Sequence, residues 1–133
     1  MSSNIMNYIG TIIEESMEDK SVLDMVNILS TKVLKVTERE KTPWLEIWTL
    51  HKVEVSENNV DVISEKISRS IDSKHNHSWY ADYKNKDWHY IIFPNKIFKI
   101  ARDDAKSYAD AKSYGISLGI PKHQVDFSPS PSS

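Results

Sequence analysis

The segment Trp79–Phe98, WYADYKNKDWHYIIFPNKIF, decides the fold class of this chain. It carries seven of the thirteen aromatic residues in 20 positions. Aromatic and β-branched residues fit a pleated, half-buried surface, so the segment reads as strands. The strands are Trp79–Tyr83, Trp88–Phe93 and Lys96–Ile100. A polar break at Lys84–Asp87 separates the first two, and a Pro94-Asn95 turn separates the last two. The segment marks the centre of a sheet and names no chemistry.

Moving towards the N-terminus, Tyr8–Ile13 (YIGTII) is apolar and β-rich and reads as a strand. Asp19 or Ser21 is placed to cap a short helix over Val22–Leu29. Ser30–Thr37 reads as a second strand and Trp44–Val55 as a third, with Pro43 closing a charged turn between them. Val60, Ile63, Ile67 and Ile71 then fall at offsets 0, 3, 7 and 11, which is one apolar stripe on a helix. Asn58 or Asn59 is placed to cap that helix. Beyond the aromatic strands, Asp103–Tyr114 reads as a helix, with aspartates at its positive end and Gly115 at its left-handed end. The order predicts an α+β domain over residues 1–127, a mostly antiparallel sheet with helices packed on one face and a ferredoxin-like variant as the lead topology. Residues 128–133 (SPSPSS) read as a disordered Ser/Pro tail.

Composition narrows the function classes. A chain of 133 residues is one domain and buries enough surface to need no staple. It has no cysteine, which removes disulfides, thiolate metal sites and a cysteine nucleophile together. With 17 basic against 19 acidic residues the net charge is −2, so no basic excess argues for nucleic acid. No run approaches ~18 apolar residues, and MSSNIMNYIGTII lacks the parts of a signal peptide. The expectation is a cytoplasmic protein with no membrane association.

Several motifs stand beside plainer readings. Gly115-Ile116-Ser117-Leu118-Gly119 matches the G-x-S-x-G elbow, but that motif needs a strand, a sharp turn and a helix, and here a helix precedes it. His75 and His77 lie on one side of an extended segment, where Asp72, Asp82 or His89 would have to complete a metal site; a solvated loop explains them as well. Glu14 and Glu15 could supply half of an acid/base pair with Asp82 or His89, and a solvated strand end is the plain alternative. Trp44, Trp48, Trp79, Tyr80, Tyr83, Trp88 and Tyr90 could stack on bases, with Lys84, Lys86, Lys96 and Lys99 nearby, yet core packing accounts for them. No P-loop, G-x-G-x-x-G or H-E-x-x-H occurs, so no cofactor or metal is expected.

Three segments, YIGTIIEES at 8–16 with the short run Asp19–Leu23 after it, WYADYKN…WHYIIFPNKIFKI at 79–100 and YGISLGIPKHQVDF at 114–127, together resemble a family of small conserved bacterial and archaeal proteins of unknown function. The resemblance implies a compact single domain and no particular activity. The lead expectation is a small non-catalytic binding or protein-interaction module, with a homodimer through an open sheet edge as one form. The alternative is a small enzyme or metal-dependent protein with a pocket at the ends of the aromatic strands. The candidate ligand-binding residues are Glu14, Trp79, Tyr80, Asp82 and His89.

Overall fold

The computed structural model describes residues 7–35, 47–71 and 79–120. It is an α+β fold: six strands form one antiparallel sheet and two helices pack against it. The strands are β1 (Tyr8–Ile13), β2 (Asn27–Lys35), β3 (Ile47–Val55), β4 (Ala81–Lys84), β5 (Trp88–Phe93) and β6 (Lys96–Ala101). The helices are α1 (Val60–Ser70) and α2 (Ala105–Ser117). Two short 3-10 turns, Glu14–Ser16 and Lys20–Met25, join β1 to β2.

The spatial order is β2-β3-β1-β4-β5-β6. In its first four strands this is the expected ferredoxin-like variant: β3 lies between β1 and β2, and α1 crosses from β3 to β4 on the outside of β1. The 3-10 turns stand where that pattern has its first helix. The predicted helix over Val22–Leu29 is therefore shorter and tighter, and Asn27–Leu29 belong to β2. Asp19 does cap the turn, accepting from the Ser21 N–H at 2.9 Å. Hydrogen bonds from Ser21 hold its carboxyl below the usual range. The sheet then extends past the ferredoxin-like core through two hairpins. Asn85 Oδ1 closes the first by accepting from the N–H groups of Asp87 and Trp88. Pro94-Asn95 closes the second, with Asn95 in the left-handed region at φ 59°.

Register assigns every strand residue to a face, because residues directly opposite each other share one and alternate along the strand. Tyr8↔Val55, Gly10↔Val53, Gly10↔Tyr83, Tyr83↔Tyr90 and Ala81↔Ile92 define the first face. The α1 stripe covers it: Ile63, Ile67 and Ile71 are buried in one cluster with Tyr8, Val53, Tyr83, Tyr90 and Ile92. Burying each of these isoleucines contributes about 1.5–3 kcal/mol. Gly10 makes this packing possible, since a Cβ there would overlap the Asp82 carbonyl oxygen and Tyr83 Cα.

The second face carries Ile91, Phe93 and Ile100, and α2 covers these with Tyr108 and Ala111. The two helices thus sit on opposite faces, which corrects the expectation that they share one. The reason lies in β5: Tyr90-Ile91-Ile92-Phe93 is apolar at four successive positions, so both of its faces need a cover. Gly115 is also not a helix end. It is buried within α2, and Gly119 at φ 93° takes the left-handed position. Ser117 lies on the last turn and donates to the Tyr114 carbonyl, so the G-x-S-x-G match is a helix terminus. Four of the five aromatics Trp48, Trp79, Trp88, Tyr90 and Phe93 are buried; Trp88 is exposed under the ammonium of Lys99.

Candidate functional site

α2 covers only the β5–β6 end of the second face. Over β1, β3 and β4 that face keeps a cleft of 280 Å3, lined by Thr11, Ile13, Trp48, Leu50, Trp79, Tyr80 and Asp82. Strand alternation explains the lining. Thr11 and Ile13 are the outward positions of β1, Leu50 stands opposite Ile13, and Asp82 stands opposite Thr11. Trp79 and Tyr80 enter from the residues just before β4. The Trp48 and Trp79 rings pack at 5.3 Å between centroids with a 57° tilt and form an aromatic wall.

Among the described residues of this lining Asp82 is the only acidic or basic side chain, and it is 30% exposed. It is held from behind. The His89 Nε2–H donates to Asp82 Oδ2 at 2.7 Å. His89 Nδ1 meets the Tyr108 hydroxyl at 2.9 Å. Burial pushes the Tyr108 hydroxyl up, against the opposing effect of Arg102. Burial also pushes the Tyr80 hydroxyl well up, and the Asp82 charge adds to it.

Of the residues predicted for a site, Trp79, Tyr80 and Asp82 line the cleft and His89 supports it from beneath. Glu14 does not belong to it. Its Oε1 accepts from His51 Nε2 at 2.8 Å, and His51 stands opposite Ile12 on the first face. Thr31 Oγ1 meets His51 Nδ1 at 2.9 Å from β2. Glu15, next along, accepts from the N–H and hydroxyl of Thr49 at 2.6 and 2.7 Å. The chain leaves the strand at Glu14 and enters a 3-10 turn, so strand alternation no longer separates the two glutamates. Both fold back onto β3, away from the cleft.

His75, His77 and Trp44 lie outside the described residues. Among the described residues no three His, Asp or Glu side chains converge as metal ligands. No helix among them is long and apolar enough to cross a membrane. The lysines near the aromatic hairpins divide by register, Lys84 and Lys96 to the second face and Lys99 to the first, while Trp79 and Tyr83 are buried. Thr11, Ile13, Trp48 and Leu50 escaped the sequence reading as lining residues. Their signal is alternation in YIGTII and WTLHKVEV, but the sequence does not tell which face stays uncovered. Compared with known protein families, curated proteins and solved structures, the chain matches none of them.

Proposed function

We propose that this protein is a small-molecule-binding module and that its ligand occupies the cleft over β1, β3 and β4. The observation that carries this reading is Asp82: a carboxylate oriented by a buried histidine, set in a concave wall of Trp48, Trp79 and Tyr80. Pockets for small ligands combine an apolar, aromatic lining with a few fixed polar groups, and this cleft has that composition. Its 280 Å3 falls just below the usual range of about 300–1,000 Å3, which suits a small ligand. The Tyr108–His89–Asp82 chain also favours a second reading, a small acid/base enzyme in which Asp82 takes a proton from a bound substrate.

Thermal-shift screening against metabolites, nucleotides and metals tests the lead reading, because a ligand of the native state raises the melting point. The expected result is a set of ligands whose shift disappears in Leu50→Arg, which fills the cleft. Ligands that shift Leu50→Arg and the parent chain alike would place binding elsewhere and overturn it. A hit that is chemically altered on incubation, and left intact by Asp82→Asn, selects the enzyme reading.

A further inference from the structure

We infer that the cleft recognises an organic ammonium cation, seated with its charge between Asp82 and the aromatic wall and its apolar body on Ile13 and Leu50; this rests on the small-molecule reading of the cleft. Among the described residues, the lining contains one carboxylate and no lysine, arginine or histidine. A cation entering it meets an opposite charge and no like charge among these residues. An anion meets only Asp82 and is disfavoured.

The aromatic residues add a second attraction of the same sign. The face of an indole or phenol ring carries negative quadrupole density, and a cation within about 6 Å of it is stabilised, more so where water is excluded. Trp48 and Trp79 are largely buried and packed on each other, so the wall is held in place. Tyr80 completes it, and the charge of Asp82 already acts on its hydroxyl.

The chain behind Asp82 keeps the carboxylate available. His89, itself in contact with the Tyr108 hydroxyl, orients the carboxylate through one hydrogen bond. Of the hydrogen bonds that Asp82 makes among the described residues, the one to His89 uses Oδ2, leaving Oδ1 for a ligand N–H or alkylated ammonium. Thr11, directly opposite Asp82, brings a hydroxyl to the same side.

Three probes of one shape and different charge test the inference by calorimetry or tryptophan fluorescence: 2-phenylethylammonium, 2-phenylethanol and phenylacetate. The expected order is ammonium tightest by about tenfold or more, with phenylacetate weakest. Asp82→Asn, which still accepts from His89, brings the ammonium down to the level of the alcohol. The charge series on the unaltered chain decides the matter even if that variant is unstable. If the alcohol binds as tightly as the ammonium, the cleft remains a ligand site and the cationic class is wrong. If phenylacetate binds tightest, or none of the three binds at millimolar concentration, the cationic class is also overturned, and the metabolite screen with Leu50→Arg separately judges the cleft.

Discussion

His89 and Asp82 meet at 2.7 Å although they are not opposite each other: the β4–β5 register sets His89 against Lys84 and Asp82 against Ile91. They are diagonal neighbours on one face, a separation that an imidazole can span and a shorter side chain cannot. The pair therefore fixes the carboxylate at the cleft through the sheet's own geometry, and α2 seals the histidine with Tyr108.

Removing that histidine strands two partners at once. His89→Leu leaves the buried Tyr108 hydroxyl and Asp82 Oδ2 without their hydrogen bonds and is expected to cost about 1–3 kcal/mol. His89→Gln, which can donate and accept, recovers part of it. Urea unfolding midpoints of the two variants give the comparison, and equal stability of His89→Leu and the parent would contradict the buried chain.

The α1 stripe is tested at its centre. Ile67 is fully buried, and Ile67→Ala is expected to cost about 2–5 kcal/mol from lost transfer energy and the cavity left behind. Val62, on the same helix but 63% exposed, should tolerate alanine within about 0.5 kcal/mol. Paired denaturation curves check both.

Gly10 stands opposite Tyr83, with no room for a Cβ against the β4 backbone. Gly10→Ala is expected to destabilise by about 1–3 kcal/mol, because β4 must move to admit it. The same movement displaces Asp82, so affinity for 2-phenylethylammonium falls as well. A stable Gly10→Ala protein with unchanged affinity would show that β4 adapts freely.

His51→Ala makes the opposite separation. It breaks the Thr31–His51–Glu14 contacts on the first face and is expected to lower stability by about 1–3 kcal/mol while leaving affinity at the cleft unchanged. Loss of binding without loss of stability would return Glu14 and His51 to the site.

Alkaline pH should unfold the protein through its tyrosines. Burial raises the hydroxyls of Tyr8, Tyr80, Tyr83, Tyr90 and Tyr108 above the ordinary value of 10. Below that value both states hold the protons, and these groups add no pH dependence. Above it the unfolded chain releases protons that the folded chain retains, so stability falls as pH rises. Urea midpoints flat across neutral pH and dropping above about pH 10 are expected, with phenolate absorbance appearing together with loss of structure. Phenolate formation in a protein that stays folded would mean these hydroxyls are solvated.

The sequence by itself determined the elements that rest on local chemistry. The alternation and β-branching of Tyr8–Ile13 and Trp88–Phe93, the Asn95 turn, the Asp19 cap and the 60–71 stripe each depend on neighbours within a few positions. Except for the helix expected after Asp19, which is a 3-10 turn over Lys20–Met25, these elements form where the residues predict. Three candidate site residues, Trp79, Tyr80 and Asp82, were legible because aromatic density and a lone carboxylate mark one short segment. Tertiary structure decided everything that depends on which strands become neighbours. β1 lies between β3 and β4, so Thr11, Ile13, Trp48 and Leu50 join Asp82 in one cleft although they come from distant parts of the chain. The placement of α2 over β5 and β6 alone leaves that cleft open. Glu14 went to His51 because a 3-10 turn broke the strand at that residue, and no periodicity in the sequence announces that break.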